Sequence, residues 1–440
     1  MATSYVLDTE FNGSGLAQLP MYDNSTDRHV IDLTHQGKKL LAAAVTEKIN
    51  GDGSLTHYYA LTRFDNDGSI DTTFGKPGNK GIVFGLFDPS SNHGQASDSG
   101  CVSIAIDGKD GSSIWMLGWS SEHRDAPKSV LIAKFDQDAT IDPTPYYLPQ
   151  PTNSSLQVAR PGWEKEAEQG LRLQEGRSSL LVHDNHLIAT ANFDTQGIPP
   201  RLYRQGFNGE PGFGELSFIE ITHTGGNVTL TGLAVSNNAL LICGYLSNEN
   251  SESGFIARYQ TNGELDTTFG KDGTLTFQID RESKHATQYK TRVQQLCIRN
   301  TDEILATGSR RFEQTDKPNT VKLDGWAWQL LITGQRDEHF NAGNPQITER
   351  ENDGVEWKTG VIEQDHGALL FGAGSFGTSH LQRYEKNGTA DPLTPLPDEI
   401  KDTINAMIAL EQDEKIVLAA NLRSTGGYIG YVIRLVKNRI

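Results

Sequence analysis

Cysteine is scarce. Cys101, Cys243 and Cys297 are the only three in 440 residues, each in its own apolar run and none in a C-x-x-C pair. That spacing excludes a thiolate zinc site and a disulfide framework, and reads as three buried small hydrophobes. Basic charge is also short, with 39 Lys and Arg against 56 Asp and Glu and a net charge of −17. Binding to a phosphate backbone rests on clustered positive charge, so nucleic acid is not an expected partner. No stretch approaches the ~20 apolar residues of a membrane-spanning helix, so no membrane span is expected. The opening residues MATSYVLDTEFNGSG carry neither a basic region nor an apolar core, so no secretory signal is read there. The expected location is the cytoplasm, or the exterior by a route that needs no classical signal peptide.

Helical periodicity is nearly missing as well; the one candidate is WEKEAEQGLRL at 163–173. No G-x-S-x-G, H-E-x-x-H or P-loop pattern occurs. GAGSFG at 372–377 matches G-x-G-x-x-G, but TSHLQRYEKNG follows it. That continuation reads as a strand, whereas dinucleotide binding needs a helix there to hold the pyrophosphate.

What the chain has in abundance is itself. RFDNDGSIDTTFGKPG from Arg63 returns as RYQTNGELDTTFGKDG from Arg258. Weaker copies are KFDQDATIDPTP from Lys134, LYRQGFNGEPGFGE from Leu202, QLLITGQRDEHFNAG from Gln329 and RYEKNGTADPLTP from Arg383. Their anchor positions are Phe64, Phe135, Tyr203, Tyr259, Leu330, Tyr384 and Leu435, spaced 51 to 71 residues apart. A repeat of this length with scatter implies one structural unit carrying variable loops. Each unit reads as four short runs rich in Val, Ile, Leu, Tyr and Thr, bounded by Gly, Asn and Asp, which is strand and hairpin chemistry. The expected fold is an all-β, seven-bladed β-propeller with four antiparallel strands per blade, forming one domain over 1–440.

The termini give a separate argument. The last unit, 402–440, stops before any LDTTFG segment, while the chain opens with VLDTEFNGSGLAQLPM. Residues 1–21 are therefore expected to complete the last blade and close the ring, which removes two open sheet edges.

The phrase G-x-L-D-x-x-F-G-x-x-G resembles the delta-60 repeat family of bacterial proteins. The phenylalanine is replaced at Pro145 and Thr394, and the aspartate at Glu210. The resemblance implies repeated β structure and brings no catalytic residue set with it.

A residue present once per blade reads as architecture, since one active site needs one copy. The repeated aspartates (Asp8, Asp71, Asp142, Asp266, Asp337, Asp391) are expected to cap backbone N–H groups in the turn. The phenylalanines (Phe11, Phe74, Phe213, Phe269, Phe340) are expected to wedge between blades, with the following glycine free to take a positive φ. DNDGSID at 65–71, with NGDGSL from Asn50 as a looser relative, raises calcium as the alternative, although the distal glutamate of a calcium loop is missing. No other cofactor is expected.

Connections between first and second strands are short throughout. Those between second and third strands, and between blades, vary freely: 47–57, 87–100, 121–128, 149–176 and 310–325. Long loops on a rigid scaffold are where binding sits. Candidate contacts on that face are Asp88, His93, Glu122, His123, Arg124, Asp125, Trp163, Arg310, Arg311 and Trp357. Trp326 and Trp328 are expected to face opposite ways. The function these features point to is a non-enzymatic binding or interaction module for a protein or glycan. The alternative is a hydrolase or lyase acting on a carbohydrate or lactone at the channel mouth.

Overall fold

A computed structural model describes residues 3–20, 25–78, 80–87, 98–107, 111, 113–121, 128–140, 144–147, 178–193, 198–207, 212–213, 217–236, 239–249, 251–279, 286–300, 303–314, 321–349, 354–363, 367–373, 379–391, 396, 400, 403–410, 415–424 and 427–439. The candidate helix at 163–173 lies outside them. So do Asp88, His93, Glu122, His123, Arg124, Asp125 and Trp163. Among the described residues the one helical element is a 3-10 turn, Asn341–Gly343. Everything else regular is strand, and no helix is long and apolar enough to cross a membrane.

The chain has an all-β propeller fold of successive antiparallel meanders. Two compact units are distinguished. One comprises Leu7–Ile219 with Leu418–Arg434, the other Met1–Val6, Glu220–Val417 and Leu435–Ile440. The first contains the meanders Ser25–Gln36, Lys39–Ile49, Leu55–Phe64, Ile82–Gly85 and Asp98–Asp107, Ser113–Ser121, Ser129–Asp136, Thr144–Tyr147. A third begins with Ser179–His183, His186–Ala191 and Arg201–Gly206. In the other unit Asn227–Ser236, Ala239–Ser247, Glu252–Gln260 and Thr274–Phe277 are followed by Ala286–Asn300, Glu303–Gln314, Val321–Leu331 and Gln346–Thr348. The three strands Glu356–Ile362, Ala368–Ala373 and Ser379–Tyr384 come next.

Among the described residues, seven separate four-stranded blades are not what forms. Five sheets have blade size, with five, four, four, three and four strands, and the sixth sheet has eight. The eight-stranded sheet arises because one parallel bridge, Glu252 to Lys290, links the third strand of one meander to the first strand of the next.

The N-terminal segment pairs with the last strand. Leu16–Gln18 runs antiparallel to Gly427–Arg439 through Leu16↔Ile433, Ala17↔Val432 and Gln18↔Tyr431. The joint reproduces internal copies bond for bond. Asp8 N–H donates to Arg434 O at 2.9 Å, as Asp71 N–H does to Arg63 O and Asp266 N–H to Arg258 O. Arg434 N–H donates to Gly15 O, as Arg63 N–H does to Gly81 O.

Cores lie between successive sheets, so strands bury both faces. Met116 and Ile114 pack with Leu41, Leu61 and Phe74 on one side of their sheet. Trp115 and Leu117 pack with Leu187, Ala189 and Tyr203 on the other. Period-two alternation delivers each set to its own face. The same rule corrects the expectation for the tryptophan pair: residues two apart share a face. Trp326 and Trp328 both bury in one core with Leu241 and Val293, edge-on to Phe277, while Ala327 joins Trp357 and Leu370 on the other side.

The first strand of five units carries a β-bulge at a matching place, between Val30/Asp32, Cys101/Ser103, Leu230/Gly232, Val293/Gln295 and Trp357/Thr359. A bulge kinks the strand and leaves a backbone N–H off the ladder. The side chain after one bulge serves the next unit's strand. Asp32 Oδ2 accepts from Ile104 N–H at 2.9 Å, Ser103 Oγ from Leu180 N–H at 3.3 Å, and Gln295 Oε1 from Gly360 N–H at 2.5 Å. Opposite four of the bulges the second strand has glycine: Gly118, Gly244, Gly308 and Gly372. A Cβ on Gly244 would stand 1.8 Å from Thr229 O, and one on Gly308 2.0 Å from Arg292 O. Because these obstacles are backbone, Gly244→Ala is expected to cost at least about 2 kcal/mol, read as a lowered urea midpoint. Gly51→Ala, with nothing within 4 Å of its Cβ, should stay within about 0.5 kcal/mol of wild type.

Candidate functional site

Antiparallel pairing sends successive connections to opposite ends of each sheet, and the two ends are built differently. At one end the repeated phrase folds the same way each time. A tight turn (Asp65 N–H to Ser69 O, Gln260 N–H to Glu264 O) returns the chain so that residues eight apart pair through their backbones. That places Arg63 beside Asp71, Arg258 beside Asp266 and Arg383 beside Asp391, with distances of 2.6, 2.9 and 3.2 Å between guanidinium nitrogen and Oδ2. The split copy places Arg434 Nε 2.7 Å from Asp8 Oδ2. In the variant copy Gln329 donates to Asp337 in the arginine's place.

The other carboxylate oxygen caps the turn. Asp71, Asp266 and Asp8 Oδ1 each accept the N–H two residues on at 3.1 Å, and Asp337 that of His339 at 3.0 Å. The expected cap is thus present. In three copies the phenylalanine then lies under its guanidinium: Phe74 under Arg63 at 4.7 Å, Phe11 under Arg434 at 4.7 Å and Phe269 under Arg258 at 5.4 Å. Phe11, Phe74, Phe269 and Phe340 are fully buried.

The wedge also reaches the next repeat. The residue after the phenylalanine (Asn12, Gly75, Gly270 or Asn341) has positive φ and donates its N–H to the following turn, at Asp67 O, Asp138 O, Thr333 O and Asn387 O. The glycines of three of those turns, Gly68, Gly334 and Gly388, lie so close to Phe11, Phe269 and Phe340 that a Cβ would stand 2.9 to 3.2 Å from the ring. The carboxylates of the DNDGSID segment all serve protein donors: Asp65 faces Lys39 at 3.2 Å, Asp67 accepts from Ser69, and Asp71 takes Lys39 and Arg63 at 2.6 Å. The arginine was missed by sequence reasoning, although it stands directly before the anchor aromatic in RF, RY and RY.

At the opposite end, among the described residues, the two units carry different polar sets. In the first unit Glu47, His57, Asp98, Trp119 and Lys128 converge from two neighbouring meanders. His57 N–H donates to Asp98 Oδ1 at 2.7 Å, and His57 Nε2 sits 3.0 Å from Glu47 Oε1. Lys128 Nζ lies 3.9 Å over the Trp119 ring. Burial pulls the lysine's pKa down while Asp98 pulls it up, and burial prevails. Tyr58 beside them is pushed up, by burial and then by Asp98. Asp98 is 1% exposed. Glu47, His57 and Lys128 are end residues of the connections 47–57 and 121–128 that the sequence singled out, while Asp98 begins its strand within 87–100 and Trp119 lies in the strand before 121.

In the second unit the corresponding end holds Glu252, which Arg292 grips through two nitrogens at 2.5 and 2.9 Å while stacking over Tyr245 at 4.4 Å. Arg310, a candidate contact, is instead a buried strand residue, bound to Asp324 at 2.9 Å and Glu349 at 3.1 Å. Trp357 is fully buried in the core, with its indole against Gly325, so it presents nothing to a ligand. Arg311 is exposed on its strand.

A family described as a domain of unknown function (DUF5122), beta-propeller, matches residues 236–269, the stretch that contains Arg258, Asp266 and Phe269. No curated protein matches. Among solved structures the chain is similar to a polysaccharide lyase, Uly1 (9% identity, TM-score 0.49, covering 93% of this chain and 90% of that one). It is similar also to the periplasmic gluconolactonase PpgL of Pseudomonas aeruginosa (14%, TM-score 0.43, 86% of each). A third is an alpha-L-arabinanase of Penicillium chrysogenum (8%, TM-score 0.43, 98% of each). At these scores none of the three bears on activity. The chain is a β-propeller repeat protein.

Removing Asp71 takes one of two carboxylates from the buried Arg63 guanidinium, which keeps Asp138 at 2.6 Å and Gln36 Oε1 and Gln137 O at 3.0 Å. Asp71→Ala is expected to cost about 2 kcal/mol in urea unfolding, the loss of charge-assisted hydrogen bonds whose donors keep other acceptors. Acid should act on the same clips. Burial pushes Asp71 up, but Lys39, Thr73 and Arg63 outweigh it and hold the carboxyl well below the usual range. Asp266 and Asp337 are lowered in the same sense, against burial, by Thr268 with Arg258 and by His339 with Gln329. A folded-state pKa below the unfolded one stabilises above the unfolded value and is lost as pH falls. The thermal midpoint should therefore drop from about pH 4 downward. Asp32, raised by burial, works in the opposite direction.

Proposed function

We propose that this chain is a non-enzymatic binding module. Its LDTTFG end is the scaffold, and its other end takes a protein or glycan. The observation that carries this reading is the contrast between the ends. The Arg–Asp–Phe clip recurs from unit to unit and its polar groups face protein partners. The opposite end carries a different polar set in each unit, His57 with Asp98 in one, Glu252 with Arg292 in another, beneath connections of unequal length. Architecture repeats with the fold; a single ligand has no reason to. The repeats are read as delta-60 units of one domain, with residues 1–21 completing 402–440. Calcium has no role at DNDGSID in this reading, and added calcium should leave the thermal midpoint unchanged. The location proposed is the cytoplasm, or the exterior without a classical signal peptide.

A glycan array, and turnover assays on polysaccharides and lactones, would be run on one pure sample. Specific binding should fall at least about tenfold in Lys128→Ala, which is a loss of about 1.4 kcal/mol. It should be unchanged in Asn262→Ala, at the scaffold end. Turnover that disappears in Lys128→Ala and persists in Asn262→Ala would replace the binding reading with the enzymatic one.

A further inference from the structure

The chain has a net charge of −17, yet one face at the variable end gathers cations. Lys290 and Arg311 stand directly opposite each other in antiparallel register. Residues so paired hold their side chains on one face of the sheet, and like charges there repel. Arg292, two residues on from Lys290 along the same strand, belongs to that face.

The carboxylate that answers them is Glu252, and it is shared. Arg292 takes both its oxygens at 2.5 and 2.9 Å, and Lys290 Nζ lies 3.5 Å from Oε1. Nearby Glu356 is taken by Lys358 at 2.5 Å and by Gln294 at 2.6 Å, so that pair adds no net charge. Lys290, Arg292 and Arg311 against Glu252 therefore leave an excess of positive charge.

The donors left over are of one kind. Glu252 engages Nε and Nη2 of Arg292, which leaves the N–H groups of Nη1 without an acceptor among the described residues. This guanidinium is already held, forked on Glu252 and stacked over Tyr245 at 4.4 Å, so a ligand has little of it to order. Arg311 is exposed and makes no hydrogen bond or ion pair among the described residues. A planar guanidinium fork matches a planar carboxylate.

We propose that this face binds the carboxylate of an acidic glycan, with Arg311 and the free edge of Arg292 as donors and Lys290 as a neighbouring charge. The inference rests on the binding-module reading and names the chemistry of its ligand. A sugar acid suits the face better than a protein surface does. Protein hot spots centre on large anchors, with valine under-represented among them, and the exposed large hydrophobic on these strands is Val321, at 38%. The overall negative charge of the chain opposes an anion at long range, so recognition depends on these close donors and weakens with salt.

The test is calorimetric titration of the full chain with oligomers of galacturonate and of glucuronate, each beside its methyl ester, which keeps the sugars and removes the charge. An acid form should bind, lose affinity as salt rises, and bind at least about tenfold more tightly than its ester. Arg311→Gln should weaken the acid form about 10–100-fold, the range for hydrogen bonds to a charged group. Its thermal midpoint should not move, because Arg311 has no partner among the described residues. Arg311→Lys keeps the charge and loses the fork, so its affinity should fall between the two. Lys271→Gln removes the same charge from an exposed position at the scaffold end and should bind as wild type does. Equal affinity for acid and ester, or an Arg311→Gln variant that binds like wild type, would overturn the acid site and leave the binding module standing. An equal loss in Lys271→Gln would overturn it too, as an effect of net charge. Failure of both acid forms to bind wild type would also overturn it, while the array and the Lys128→Ala variant decide the binding module separately.

Discussion

The structure depends on a carboxylate that is asked to do two things. One oxygen of the repeated aspartate caps its own turn, and the other neutralises an arginine from the strand it has just left. Neither role alone would hold a repeat in place. An Asx-type cap is a local device, and a buried ion pair costs desolvation that its attraction only partly offsets. Combined, they fix the angle at which the phenylalanine leaves the turn. That ring then fills the space beside the next repeat's turn glycine, with the guanidinium on its face. Thus one side-chain pair sets the spacing between successive sheets. The N-terminal segment obeys the same constraint, because Asp8 and Phe11 meet Arg434 as the internal copies meet theirs.

A second constraint acts where the first strands run. Bulges there kink the strand and free backbone groups. The freed N–H groups at Ile104 and Gly360 are taken by the side chain after the preceding unit's bulge, Asp32 or Gln295. Thr231 does the reverse, donating to Val293 O at 2.6 Å. The glycines facing the bulges follow from sterics, not from turn geometry: they lie inside strands, and a Cβ there would strike a carbonyl oxygen. Sheet packing is therefore pinned twice, by clips at one end and by bulge capping along the first strands.

The parts of this that were legible in the sequence are those with a period. Strand alternation, the Asp-x-x-Phe turn and the pairing of residues 7–20 with the last strand follow from repetition. The arginine was equally periodic and was passed over, because attention fell on the turn rather than on the strand before it. The sheet count was not legible. A single bridge between Glu252 and Lys290 joins two meanders, and one backbone contact leaves no trace in a pattern of side chains. Arg310 and Trp357 were drawn to the surface by their position near long connections. They are buried because the flanking strands, Glu303–Gln314 and Glu356–Ile362, run further toward those connections than hydrophobic pattern alone marks.

The cluster at Glu47, His57 and Asp98 escaped for the opposite reason. No motif spans it, since its members come from the second strand, the third strand and the following meander. What brings them together is the pinning at the far end. Once the clip sets the angle between two sheets, the ends of their strands arrive at fixed separations whatever residues they carry. The repeated end can then remain constant while the other end changes composition at each repeat.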